Sequence, residues 1–436
     1  MRNRLMLAIS TGLAMWGAGL SAPATGWGAG IFNYENGSPI IGMAGAGYAA
    51  LAQDASTAFT NPAGMTQLKK SEVFVGFQPY YADSRFQIGP GTNVPGGGGN
   101  GGNYGQGLQG NGGLFGVYSW SERLKFGLAL NSYFAGSGTY ESTWVGRYYN
   151  QSSSLISASI TPSVAYQFAE WISFGAGVNI MEAQYSSQVA VHNHVLGVTD
   201  APDGQISGSA YNTGVGANLG VLLTPRQGTR IGVNWLSQVN LAFKTVPHCT
   251  GIVAGGGHVL GDALTQGLCA HETNLGQKVP QQVMVSGYQA ITQDFALVVN
   301  VGWQQWSKNG QVSFTAGDTV SGTANLNYKD TYHLALGAQY KLTPIWMVMG
   351  GLSYDSSPAD VGNRSVAAPY DQMWRYGLGT MYTHSEHLSF GGSFEFINIG
   401  PSSLTQTGSA FERGTVSGSY SPNLAYVVGL YGRWIF

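Results

Sequence analysis

The chain has 436 residues, of which only 9% are charged and 66 are glycine, whereas an ordinary soluble domain carries about 25% charged residues and about 7% glycine. So little charge excludes a conventional water-facing surface. A formal net charge of -2, with 19 Lys and Arg, also excludes a nucleic-acid partner, because phosphate binding needs a concentrated basic patch. The mean hydropathy of -0.02 shows that long apolar segments have not taken the place of the charges. Gly, Ser, Asn, Gln, Thr and Tyr have. That mixture suits a wall whose alternate residues meet lipid and a polar interior.

In chain order, Arg2 and Arg4 precede an apolar stretch over 5–20 and then small residues, the pattern of a secretory signal. Its apolar part is shorter than the roughly 20 residues a spanning helix needs. Cleavage is expected after Ala24 or after Gly28, giving a signal peptide over 1–28. Residues 29–70 are not strand-like and are predicted to form a separate hatch. The run Gly42-Met43-Ala44-Gly45-Ala46-Gly47-Tyr48-Ala49-Ala50 permits close backbone packing, and 49–59 is predicted to be a short helix. Asp54 is expected to cap a turn near that helix. Asn61-Pro62-Ala63-Gly64 then reads as a tight turn.

Beyond residue 70 the sequence resolves into about fourteen segments rich in aromatic and β-branched residues. Each is long enough for a tilted strand to cross a bilayer. The separators alternate in length. Short ones fall around 121–123, 169–171, 224–229, 292–294, 343–344 and 383–387; long, Gly-, Ser- or Asn-rich ones fall at 89–112, 142–153, 192–206, 244–279, 316–328, 357–370 and 399–421. Tight turns at the inner rim and long outer loops give this rhythm, and an even strand number returns both ends to one side. The fold class expected is therefore all-β: an antiparallel transmembrane β-barrel over 71–436, with the hatch filling a lumen that would otherwise leak.

The last segment has a period of two: Leu424, Tyr426, Val428, Leu430, Trp434 and Phe436 share one face, predicted to meet lipid. The aromatic-rich end closing on Phe436 is similar to the signal by which barrel proteins are recognised by the assembly machinery. Trp120, Trp171, Trp303, Trp306, Trp346 and Trp374 are expected in interfacial girdles. Cys249 and Cys269 are the only cysteines. In an oxidising compartment they can pair, or they can remain free thiols.

Gly45-Ala46-Gly47-Tyr48-Ala49-Ala50 has the spacing of a dinucleotide-binding turn, but no βαβ unit follows it. His192, His194, His248, His258 and His271 fit no zinc pattern, so neither a cofactor nor a metal is expected. No G-x-S-x-G elbow supports an outer-membrane hydrolase. A porin for small polar solutes is the nearer alternative; it would need charged constriction residues and no hatch.

Together these residues resemble the FadL/OmpP1/TodX family of outer-membrane transporters. The resemblance begins with Gly30-Ile31-Phe32, Gly42 to Gly47, and Asp54-Ala55-Ser56-Thr57-Ala58-Phe59 leading into Asn61-Pro62-Ala63. It continues through Val285-Ser286-Gly287-Tyr288, Trp303 with Trp306-Ser307, Lys329-Asp330-Thr331-Tyr332, Tyr354-Asp355-Ser356-Ser357-Pro358, Asn363-Arg364-Ser365 and Trp374 with Gly377-Leu378-Gly379. It implies passive uptake of long-chain fatty acids or other hydrophobic small molecules by a monomer in the Gram-negative outer membrane. It places Asn61, Pro62 and Ala63 at the end of the hatch, and a sideways exit where the third strand kinks inward, here around Phe134, Ala135, Gly136 and Gly138. Glycines inside a strand weaken its ladder, which suits such a gap and equally suits simple curvature.

Overall fold

A computed structural model describes residues 32–103, 105–196, 201–253, 268–317, 320–369, 371–408 and 413–436. The expected signal peptide over 1–28, Gly30, Ile31 and His258 lie outside the described residues.

The wall is a closed barrel of fourteen antiparallel strands. In chain order they are β1 (Glu72–Ile88), β2 (Gly105–Ser119), β3 (Leu124–Asn131, continued by Gly136–Thr139), β4 (Ser152–Ala169), β5 (Ile172–Val191), β6 (Gly204–Arg226) and β7 (Thr229–Leu236, continued by Val239–Thr245). The second half runs β8 (Thr273–Val279 and Gln282–Ala290), β9 (Phe295–Gln304 and Gln311–Ala316), β10 (Val320–Asn325 and Thr331–Lys341), β11 (Trp346–Asp355), β12 (Met373–Thr383), β13 (Leu388–Asn398) and β14 (Gly414–Ile435). Each strand pairs with the next. The cylinder closes where β14 pairs with β1, from Glu72↔Ile435 to Ile88↔Gly418. Closure leaves no sheet edge in lipid, which the bilayer demands of any spanning sheet.

Alternation produces the two faces. On β4, Ile156, Ile160 and Val164 are exposed, while Ser157, Ser159, Thr161 and Ser163 between them are buried inward. On β14, Tyr426, Val428, Leu430, Trp434 and Phe436 point outward and Ala425, Val427 and Tyr431 inward. An outer surface made of Leu, Ile, Val and Phe is stable only against hydrocarbon. No described helix is long and apolar enough to cross a membrane; the crossing is made by strands.

Several expected loops are strand. β2 begins at Gly105, β10 at Val320 and β14 at Gly414, well inside the expected loops 89–112, 316–328 and 399–421. Their outward residues there, such as Ser321, Thr323 and Asn325, are polar and exposed. The ladder therefore continues into water, where the apolar half of the alternation has no reason to persist. The outer pieces of β7, β8, β9 and β10 form a four-stranded sheet of their own. Its inner face, with Val239, Leu241, Phe243, Leu275, Val312 and Phe314, is buried.

The segment before β1 fills the barrel. It contains two 3-10 turns, Pro39–Met43 and Pro62–Gln67, and a single α-helical turn, Thr57–Thr60. The expected helix over 49–59 is thus cut to its last turn. Ala52 has a positive φ of 42°, and the backbone around it bonds the wall instead: the Ala49 amide donates to Ser286 Oγ at 2.8 Å.

Candidate functional site

The interior is built where the plug meets the wall. Asn61 holds its turn by accepting from the Ala63 amide at 3.1 Å, and its Nδ2 donates to the carbonyls of Ala49 at 2.7 Å and Val221 at 3.1 Å. Pro62 opens the 3-10 turn, where its missing N–H costs nothing. One side chain therefore ties two hatch segments to β6. Asn218, also on β6, donates to the Phe59 carbonyl at 2.6 Å. Gly45 and Gly47 have φ of +83° and +85°, which side-chain-bearing residues rarely adopt, and Gly42 lies within the first 3-10 turn. Asp54 is buried and accepts from the Ser56 amide at 2.9 Å; burial lifts its carboxyl above the usual range, and the Ser56 hydrogen bonds pull it back only in part. Below the hatch, on the side of the short turns, a cavity of about 270 Å³ is lined by Pro39, Asp54, Pro344, Trp346, Met347 and Arg433 among others.

The wall glycines make this fit possible, and sequence reasoning overlooked them. A Cβ on Gly220 would lie 1.9 Å from Asn61 Oδ1, one on Gly232 1.9 Å from the Ala49 carbonyl oxygen, and one on Gly76 2.0 Å from that of Gly37. The signal available was glycine at inward positions of strands, where it lowers strand propensity unless another backbone comes close.

On β3 the ladder is interrupted over 132–135. β2 pairs with the inner piece of β3 from Ser119↔Lys125 to Gly113↔Asn131. Among the described residues the outer piece pairs only with β4, Gly136↔Leu155 to Thr139↔Ser152. The glycine-rich stretch of β2 over 105–112 keeps its ladder to β1 and has none on the β3 side. Phe134 and Ala135 lie in the interruption; Gly136 and Gly138 lie just beyond it, within the ladder to β4. The hatch covers this place from inside. Phe32 forms an antiparallel bridge with Phe134, and the Asn33 amide donates to the Tyr133 carbonyl at 2.9 Å.

Aromatic rings fill the space around the bridge. Phe32 lies 5.3 Å from Phe134 and 6.3 Å from Trp306, centroid to centroid, and Phe59 lies 5.1 Å from Tyr133. Trp306 was expected in a girdle. It is fully buried in the lumen instead, because the turn Trp306–Asn309 interrupts β9 and breaks the alternation. Trp120, Trp171, Trp346 and Trp374 do face outward, and Trp303 is half-buried with its indole N–H donating to Asp330 at 3.1 Å.

A second feature also escaped the sequence. His333, Asp355, Arg375 and Glu395, on the adjacent strands β10 to β13, are all buried. Arg375 reaches Asp355 at 3.0 Å, Glu35 of the hatch at 3.3 Å and Glu395 at 3.8 Å. Cys249 and Cys269 are joined by a disulfide at the outer end, with Cα atoms 5.9 Å apart.

Residues 20–436 match the family described as outer membrane protein transport protein (OMPP1/FadL/TodX). The chain belongs to this family. It is 24% identical over 432 residues to the long-chain fatty acid transport protein of Escherichia coli K12, covering 89% of this chain and 94% of that one. It is 26% identical to the 47 kDa outer membrane protein of Pasteurella multocida, covering 88% and 91%. Among solved structures, a Pseudomonas aeruginosa FadL homologue superposes with a TM-score of 0.83 at 19% identity, covering 94% of this chain and all of that one. The Pseudomonas putida toluene transporter TodX gives 0.66 at 14%, covering 94% and 99%. As a member of the OMPP1/FadL/TodX family, the protein is an outer-membrane transport protein.

Proposed function

We propose that this protein carries hydrophobic small molecules, long-chain fatty acids or hydrocarbons, passively through the outer membrane, and that cargo leaves sideways into lipid at the β3 interruption. The observation that carries this reading is the break in the ladder between β2 and the outer piece of β3, set beside a buried aromatic cluster in a lumen otherwise filled by the hatch. The relatives named for fatty-acid transport and the toluene transporter support the cargo class. Apolar surface moved from water to lipid gains about 25 cal/mol per Å², so an acyl chain needs no energy source to move this way. The remaining parts of the proposal are a signal peptide over 1–28, a hatch over 29–70 ending at Asn61-Pro62-Ala63, action as a monomer in contact with lipid, and recognition by the assembly machinery at Phe436.

The test is transfer of a fluorescent fatty acid into liposomes containing the purified protein, with ion conductance recorded in parallel. Protein-dependent transfer with little conductance is expected. Large steady conductance without transfer would instead mark a porin.

A further inference from the structure

We propose that Glu35, held by Arg375, is the positioning residue that keeps hatch residues 32–34 pressed against the β3 interruption, and that parting of this pair clears the lumen side of the exit. The gating half of this inference rests on the lateral-exit reading above.

Glu35 is the only hatch side chain in an ion pair among the described residues. It lies three residues from Phe32, which bridges Phe134. The two ends of this short arm are thus fixed on opposite parts of the wall, one on β3 and one on β10 to β13. Between them the Tyr34 hydroxyl donates to Asp355 Oδ1 at 3.0 Å and accepts from Gln304 Nε2 at 3.0 Å. The Tyr34 ring lies 4.5 Å from that of His333 and 5.2 Å below the Arg375 guanidinium.

Arg375 has acidic partners besides Glu35, so its place in the wall does not depend on the hatch. Three acidic side chains, Glu35, Asp355 and Glu395, surround one arginine, with His333 Nδ1 on Asp355 at 2.8 Å. Among the described residues the Glu35 carboxyl has one further hydrogen bond, from Gln78 Nε2 at 3.5 Å. When Glu35 departs, Arg375 still holds Asp355 through its Nε, so no cation is orphaned in the wall. Removing Arg375 would instead strand buried carboxylates, the costly way to break such a pair. A buried ion pair is weak evidence for stability; what this one does is join the hatch to the wall.

The test uses the full-length protein in liposomes, with Phe32→Cys and Phe134→Cys introduced at the bridge; the native cysteines are already paired. Oxidation should cross-link this pair rapidly when residue 35 is Glu. Glu35→Gln should slow cross-linking about five-fold or more while heat-modifiable migration on gels stays that of a folded barrel. Tyr34→Phe should act in the same direction but less, and Glu35→Asp should restore much of the rate. Without the added cysteines, Glu35→Gln should raise fatty-acid transfer several-fold. A cross-linking rate unchanged by Glu35→Gln and Tyr34→Phe in folded protein overturns the positioning role. A changed rate with unchanged transfer overturns the gating role. If even the unsubstituted protein transfers nothing, the transport reading fails and the gating role with it, while cross-linking still decides the positioning role.

Discussion

Two parts of the same hatch are held in the lumen by different physics. Around Asn61 the backbone lies directly on wall glycines, and neutral hydrogen bonds to Ala49, Ala63 and Val221 complete the contact. Along residues 32–35 one short backbone bridge, Phe32 to Phe134, is supplemented by side-chain contacts: edge-to-face rings, the Tyr34 hydroxyl on Asp355 and one ion pair. Backbone-on-backbone packing leaves no room to rearrange, because interiors are as dense as crystals. Side-chain contacts can part by rotation. The first arrangement suits a permanent seal and the second a movable piece, so substitutions should separate the two.

The largest effect is expected from Gly220→Leu. Even its Cβ would overlap Asn61 Oδ1, and overpacking of a tight interior costs about 1–3 kcal/mol or more. The hatch should be displaced rather than the wall broken, since β6 keeps its ladders to β5 and β7. Single-channel recording should show a large rise in conductance. Closed behaviour in a correctly folded variant would show that the glycine contact is not what seals the lumen.

Phe134→Ala comes next. Removing a fully buried ring costs about 3 kcal/mol, here drawn from the cluster with Phe32 and Trp306. The loss should stay local, speeding hydrogen exchange at the Asn33 amide while residues 49–64 remain protected. Equal loss of protection across the whole hatch would mean that the arm and the seal are one unit. Asn61→Ala should do the converse. It leaves buried carbonyls of Ala49 and Val221 with one partner fewer, at about 2 kcal/mol, and it should expose residues 49–64 to exchange while the rate at Asn33 stays unchanged.

How far such behaviour could be read from the chain follows the same division. The lipid face of β14 and the short turns were legible, because alternation and turn chemistry are local. The inner face was not. Gly76, Gly220 and Gly232 look like weak strand residues until the hatch backbone lies against them. His333, Asp355, Arg375 and Glu395 are about 20 residues apart, one per strand, and only strand register brings them together. In a chain so poor in charge, a His, Asp, Arg or Glu recurring about every 20 residues on four successive strands was the signal to follow. The upward extensions of β2, β10 and β14 were missed for a different reason: with water outside, their sequence no longer has to alternate. The same loss of lipid contact hid the four-stranded outer sheet.

The smallest effect is expected from replacing both Cys249 and Cys269 with Ser. Closing a loop of this size is worth about 3 kcal/mol in the chain-entropy model, as much as the Phe134 ring, yet its reach is limited by where it sits. Cys249 lies in a three-residue strand, His248–Thr250, that among the described residues pairs only with Gln205, Ile206 and Ser207 at the outer end of β6. None of the hatch contacts at Asn61, Glu35 or Phe32 includes these residues. Protease sensitivity near 246–253 should therefore increase, while heat-modifiable migration, conductance and fatty-acid transfer stay as in the unsubstituted protein. A fall in transfer on losing this bond would tie the outer end to the cargo path, and the contrast between seal and arm would then have to include the mouth of the barrel.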